Sequence, residues 1–290
     1  MNTIPEFRTD QPLTEQQYKH IDEVIRETAK QILIARKLAP IYGPLGFGKE
    51  AVSFDVLTEV GAGKIDLAWG AGFSEDIPNI TRTNLPIPVL HKEFRINRRH
   101  LEASRTYGEP LDVSSIRSAT YKVGVKEDEL LLKGYDVDGD GTYEIKGFYE
   151  AAGNDYSTSS DWGTASNILP SINGAVDLLQ ADSIYPPYNL VCNPTQFNEL
   201  FVLVSGTAEF YADVVKRRIG GEIYQSPAVA AGTAMLLAAP NSGFFDIAIG
   251  VDMTHEEAIL EKSKDLWGIV YECLVPRVWE TNAICKLSNI

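Results

Sequence analysis

The stretch from residue 57 to residue 91 constrains this chain most. It carries Gly61, Gly63, Gly70, Gly72, Pro78, Pro86 and Pro88 and few helix signals. A segment of this length is too long for an ordinary loop inside a compact domain. It also has no apolar stripe from which to build a core of its own. A projecting hairpin that finds its partners on another subunit satisfies both facts, so the chain is expected to be one member of an assembly.

The arm is entered through IYGPLGFGKEAVSFD, residues 41–55, which raises a nucleotide-binding reading. Gly43, Gly48 and Lys49 satisfy most of the G-x-x-x-x-G-K-[ST] pattern, whose backbone N–H groups cradle phosphates. Such a loop needs a strand before the glycines and a helix after them. Here a helix stopped by Pro40 precedes, and Val52, Phe54 and Val56 alternate with Ser53 and Asp55 behind, which is a strand pattern. Glu50 occupies the magnesium-binding hydroxyl position, where its carboxylate would repel phosphate. The stretch reads as a tight turn from helix into strand.

Elsewhere the periodicities are clear. Thr14 and Gln17 form a capping-box start. Ile21, Val24, Ile25, Thr28, Ile32 and Leu33 then predict an amphipathic helix to about Leu38. A second helix is expected from about Ser114 to Lys133, ended by Gly134. A third runs from about Thr164 to Gln180, with Ile168, Ile172, Val176 and Leu179 on one stripe. YNLVCNP reads as a strand, Pro194 starts a short helix, and GGEIYQSP reads as a turn and strand. TAMLLAA, FFDIAIG, DLWGIVYECLV and AICKLS are four further strand-like runs. Helices and strands interleave irregularly and not as βαβ units, so the fold class is α+β.

Charge narrows the partners. The net charge of −14 over 290 residues argues against general nucleic-acid binding, which needs a basic footprint. No apolar run approaches the roughly 18–20 residues of a membrane span, and the N-terminal MNTIPEFRTDQPLTEQQ lacks the apolar core of a secretory signal. Cys192, Cys273 and Cys285 sit in apolar strand-like runs and read as free, buried thiols. A cytoplasmic protein with no nucleic-acid and no membrane partner is expected.

No motif assembles a catalytic centre. In DVDGDGTYE, Asp136, Asp138 and Asp140 stand at the first, third and fifth positions of an EF-hand-like loop, with Gly141 at the sixth. Gly147 replaces the acid required at the twelfth, and the loop reads as a solvated acidic turn, with a cation site left as the competing reading. HKEFRINRRHLEASR gathers Lys92, Arg95, Arg98, Arg99 and Arg105, read as ion pairing with a neighbouring surface or subunit. His20, His91, His100 and His255 are scattered, without a second ligand one helical turn away. There is no G-x-S-x-G, and HEEAILE lacks the second His of a zinc protease. No catalytic residue, metal site or cofactor is assigned.

Several stretches, in order and over nearly the whole chain, resemble the encapsulins, shell-forming nanocompartment proteins related to tailed-phage major capsid proteins. They are PLTEQQYKHIDEVIRETAKQILIARKLAPIYGPLG, HKEFRINRRHLEASRTYGEPLDVSS, EDELLLKG, PYNLVCNPTQFNEL, GGEIYQSPAV and DIAIGVDMTH with VYECLVPRVWETNAICKL. The resemblance implies a capsid fold. Residues 1–44 would be a lumen-facing helical region, 45–91 the extended loop, 92–135 with 244–290 a peripheral domain containing the spine helix, and 136–243 a pore-forming axial domain.

It also implies self-assembly into an icosahedral shell around a cargo enzyme. That cargo would be a ferritin-like iron oxidase or a dye-decolorising peroxidase, held by a short C-terminal peptide. A prophage major capsid protein is the alternative, made less apt by so acidic a chain. Some relatives stack a flavin on a Trp; the matching stretch here reads Arg98-Arg99. The cargo peptide is expected on Thr28, Ile32, Leu33 and Arg36 of the first helix beside Val251, Asp252 and Met253. Arg36 would hold Asp252 or a cargo carbonyl. The competing reading makes Ile32 and Leu33 plain core and Arg36 a helix cap. Gly206, Thr207, Ala208 and Glu209 are expected to form a narrow, mildly acidic pore loop.

Overall fold

A computed structural model describes residues 13–58, 63, 79–157, 160–240, 243–260 and 263–290. Helix α1 (Glu15–Ile32) starts as the capping box requires. Gln17 N donates to Thr14 Oγ1 at 3.3 Å, and Thr14 N donates to Gln17 Oε1 at 2.9 Å. It ends earlier than its periodicity suggests. Leu33 leaves the helical region, and a 3₁₀ turn over Ala35–Lys37 follows. The cause is a carboxylate from elsewhere in the chain: Asp128 accepts the backbone N–H groups of Ile34 and Ala35 at 3.1 and 3.0 Å. Donors that would have continued the helix are satisfied sideways.

β1 (Ile41–Tyr42) follows, then β2 (Ala51–Thr58) and β3 (Asn79–Pro86), an antiparallel hairpin in which Asp55 stands opposite Arg82. Arg82 grips that carboxylate with two bonds of 2.7 and 2.9 Å. The hairpin expected for the arm is therefore present at its base; residues 59–62 and 64–78 lie outside the described residues. Its exposed apolar pair, Leu57 opposite Ile80, lies outside both cores formed by the described residues.

β4 (Val89–Ile96) leads through Asn97, whose side chain caps Arg99 N at 2.8 Å, into α2 (Arg98–Tyr107). The basic stretch is thus a strand and a capped helix, and Arg95 pairs with Asp265. α3 (Ser114–Leu132) matches its expected span, and Gly134, at φ +116°, turns the chain where a Cβ would strike the Ile145 carbonyl. The short pair β5 (Gly134–Tyr135) and β6 (Ile145–Lys146) encloses the acidic loop. There Asp136 accepts the N–H groups of Gly139 and Gly141 at 2.7 and 2.9 Å.

The remaining elements are β7 (Asn154–Ser157), α4 (Ile168–Ala181), β8 (Tyr188–Cys192), α5 (Pro194–Glu199), α6 (Tyr211–Ile219), β9 (Ile223–Gln225), β10 (Thr233–Ala238), β11 (Phe245–Ile259), β12 (Leu266–Val278) and β13 (Ile284–Ser288). They build two sheets. One has the order β1-β11-β12-β4 and the other β7-β13-β10-β8-β9. The chain's last strand, β13, hydrogen-bonds to β10 and β7 and so lies in the sheet of the 136–243 segment.

A large core joins both sheets with α4 and the end of α3. A smaller one packs Ile21 and Ile25 of α1 against Ile116, Ala119 and Val123 of α3, over Phe94, Ile96, Leu266 and Val270 of β4 and β12. Ile21 and Ile116 are fully buried, each side chain stabilising by roughly 1.5–3 kcal/mol. This second core fixes α1 against the sheet and sets the position of the groove described next.

The glycine turn carries no phosphate site. Leu45 N donates to Ile249 O at 2.9 Å and Gly46 N to Gly250 O at 2.8 Å, so these N–H groups are spent on β11. Gly43, at φ +133°, lies where a Cβ would strike the Ile249 carbonyl.

Candidate functional site

Between α1 and β11 runs a groove of about 470 Å³. Its apolar floor is Ile25, Ala29 and Leu33, spaced by four residues along one side of α1, with Met253 from β11. Asp22, Arg26, Lys30, Arg36, Lys37 and Asp252 form its polar margin.

β11 presents Met253 and Asp252 through an irregularity. Its ladder with β12 shifts register between Ile249 and Val251, and again between Val251 and Thr254. Each shift inserts an extra residue, and such bulges bend a strand and re-aim its side chains.

Arg36 closes one end. Its Nη1 donates to Asp252 Oδ1 at 2.7 Å, at the exposed lip. Its other nitrogens face inward: Nε donates to Glu127 Oε1 at 2.6 Å, and Nη2 to Glu127 Oε2 at 3.1 Å and Glu272 Oε2 at 3.0 Å. Both glutamate side chains are fully buried. Burial works against the charge on Arg36, but Glu127, Asp252 and Glu272 outweigh it and raise its pKa. Burial, and then the charge of the facing Glu127, raises the Glu272 carboxyl well above the usual range, with Arg36 offsetting only part. Burial likewise pushes Asp128 up to about 6, against the pull of the Ala35 and Ile34 N–H groups. One guanidinium thus ties the end of α1, α3, β11 and β12 together.

The seven residues expected to form one pocket divide. Leu33, Arg36, Asp252 and Met253 line this groove. Thr28 and Ile32 face a different hollow, between α1 and α3, with Glu27, Gln31, Arg117 and Tyr121. The reason is helical geometry: Thr28 and Ile32 lie one step, about 100°, round from Ala29 and Leu33. Val251 packs against the large core instead. Arg36 lies beyond the last turn of α1, in the 3₁₀ turn, with most of its bonds directed inward.

Sequence reasoning missed Glu127, Asp128 and Glu272. A signal existed, because Glu272 interrupts the apolar run of β12 and Glu127 falls on the buried stripe of α3. Acids at such positions are rarely buried without a partner.

The expected pore residues Gly206, Thr207, Ala208 and Glu209 occupy an exposed loop between α5 and α6. It is closed by Val204 N donating to Glu209 O at 2.9 Å. Glu209 is not a bare acid: its carboxylate pairs with Arg217. His255 is buried in the small core's neighbourhood, 3.4 Å from Asp22 and 3.2 Å from Glu257. Burial pushes the thiols of Cys192 and Cys285 up to about 12, leaving them unreactive. Among the described residues no cluster of His, Cys, Asp and Glu is placed to hold a metal ion, and no helix is long and apolar enough to cross a membrane.

Comparison with known proteins places the family and the fold. The profile of Linocin_M18, "Encapsulating protein for peroxidase", matches residues 6–258. The type 1 encapsulin shell protein EncA of Myxococcus xanthus is 25% identical over 288 residues, covering 99% of this chain and 98% of its own length. Among solved structures, the virus-like particle from Pyrococcus furiosus superimposes with a TM-score of 0.71 at 17% identity, over 95% of this chain and 100% of that one. The capsid of Myoviridae Phage XM1 does so with a TM-score of 0.64 at 13% identity, over 89% and 92%. The fold is that of the tailed-phage major capsid proteins, an α+β fold as expected.

Proposed function

The chain belongs to the Linocin_M18 family of encapsulating proteins and is an encapsulin shell protein; from that premise we propose that the groove between α1 and β11 captures the protein it encloses. Copies assemble into an icosahedral shell in the cytoplasm. The cargo is a ferritin-like iron oxidase or a dye-decolorising peroxidase, acting in iron storage or oxidative-stress defence and held by a short C-terminal peptide. The shell chain itself contributes no catalysis. In this reading the β2–β3 hairpin, within 45–91, is the extended loop that reaches a neighbouring subunit. Residues 1–44 face the lumen, 92–135 and 244–290 apart from β13 make the peripheral domain, and 136–243 makes the axial domain, whose sheet β13 joins. The loop from Gly206 to Glu209 borders a pore.

The observation that carries the docking reading is the apolar floor of Ile25, Ala29, Leu33 and Met253 beside a fixed Arg36–Asp252 pair. An extended peptide could bury one or two apolar side chains there, each stabilising the complex by roughly 1.5–3 kcal/mol. Residues Thr28, Ile32 and Val251 drop out of this pocket, because they face elsewhere.

Mass spectrometry of natively purified particles identifies the enclosed protein. Co-expressed with it, Met253→Glu should give particles of native size emptied of cargo. Particles that still load fully would remove the groove from this role.

A further inference from the structure

Charge is distributed unevenly around α1. Asp22, Arg26 and Lys30 follow one another at four-residue spacing along the groove, and Lys37 extends the row beyond the helix. The other side of the helix carries Glu27, which lines the separate hollow against α3. Four of the groove's charges are already committed. Asp252 is held by Arg36, which is itself saturated by Glu127 and Glu272. Asp22 lies 3.4 Å from His255, and Lys37 acts on Asp128. Arg26 and Lys30 differ: both are exposed, and neither enters any ion pair among the described residues.

On a chain of net charge −14, Arg26 and Lys30 lie one helical turn apart on the groove-facing row of α1, with Glu23 and Glu27 on the neighbouring row. Like charges at that spacing work against the helix. A carboxylate laid between them relieves the repulsion and gains charge-assisted hydrogen bonds. Ile25, Ala29 and Leu33 run parallel to this pair on the adjacent stripe. A ligand that seats apolar side chains on the floor therefore brings its neighbouring residues alongside Arg26 and Lys30.

We propose that the groove selects a cargo segment in which apolar anchors are flanked by acidic side chains, an inference that rests on the groove being the docking site. The floor supplies attachment, and Arg26 and Lys30 supply discrimination against basic flanks.

The test uses a fluorescent protein carrying one of four C-terminal tails, co-expressed with the full chain. Three tails share two leucines and differ in flanks of aspartate, serine or lysine; the fourth keeps the aspartates and replaces the leucines with serine. Fluorescence per shell protein is read on isolated particles. In the native shell the aspartate tail should load best and the lysine tail at least about threefold less, in keeping with two exposed ion pairs. The leucine-free tail should not load. Arg26→Glu with Lys30→Glu should invert the order, and Arg26→Gln with Lys30→Gln should flatten it.

Equal loading of the three leucine tails, preference for the lysine tail, or an order unchanged in the glutamine variant would overturn the charge selection while leaving the groove as docking site. Loading of the leucine-free tail would show attraction by the shell's charge alone and would overturn it too. Failure of every tail to load into well-formed particles would instead overturn the docking reading on which the inference stands.

Discussion

Arg36 reaches Asp252 across 216 residues of sequence with a 2.7 Å hydrogen bond, and does so with its back to two fully buried glutamates. The two sides of this guanidinium have unequal consequences. Asp252 is largely exposed, with 70% of its side chain accessible, and an exposed ion pair is worth about 0–1 kcal/mol. Glu127 and Glu272 have no water to fall back on, and stripping the cation from a buried pair costs about 3–5 kcal/mol. Asp252→Asn should therefore leave thermal unfolding almost unchanged, whereas Arg36→Ala should lower the midpoint by many degrees or block assembly. A docking role alone would spare assembly in Arg36→Ala, and unaltered midpoints for both variants would refute the buried-pair account.

Asp128 makes the fold sensitive to acid in an unusual direction. Its carboxyl is raised from 3.8 to about 6 in the folded chain, chiefly by burial. A carboxyl raised on folding keeps its proton in the native state when the unfolded chain has already lost it. Its contribution therefore falls as pH rises from about 4 to about 6 and is constant above. Asp128→Asn removes that slope. The stability of the variant relative to the native chain should rise across this window by up to roughly 3 kcal/mol, then level off. Denaturant titrations at several pH values read this directly, and a flat difference would contradict it.

Leu57 and Ile80 face each other on the hairpin, both more than half exposed at 60% and 59%. Subunit interfaces of obligate assemblies bury roughly 2,000 Å² or more, and an exposed apolar pair on this hairpin fits such a contact. Leu57→Asp with Ile80→Asp should keep the circular dichroism spectrum of the native chain. The megadalton particles expected in size-exclusion chromatography and negative stain should be lost. Particles of normal size and yield would exclude the hairpin from the assembly contact.

Glu209 and Arg217 allow the proposed pore role of the 206–209 loop to be tested. Because Arg217 pairs with Glu209, Glu209→Gln exposes an uncompensated arginine at the loop, and Arg217→Gln exposes an uncompensated acid. If this loop borders a pore, ferrous-ion entry into loaded shells should slow in the first variant and quicken in the second. Identical rates in both would remove the loop from the permeation path.

What the residues determined by themselves is the local order of this protein. The capping box at Thr14, the 3.6-residue stripes of α1, α3 and α4, the Pro194 start of α5 and the strand-like runs from β8 to β13 are short-range consequences of sequence. The order of motifs along the chain was enough to suggest the shell-forming family. The groove was only half legible. Leu33, Arg36, Asp252 and Met253 converge as expected, but Thr28, Ile32 and Val251 do not, since helical phase and strand register place them on other surfaces. The end of α1 was decided by Asp128, the presentation of Asp252 and Met253 by two register shifts in β11, and the burden on Arg36 by Glu127 and Glu272. Each of these joins residues distant along the chain. Only the packing of α1 and α3 over the sheet brings them within hydrogen-bonding range, and no local periodicity encodes that approach.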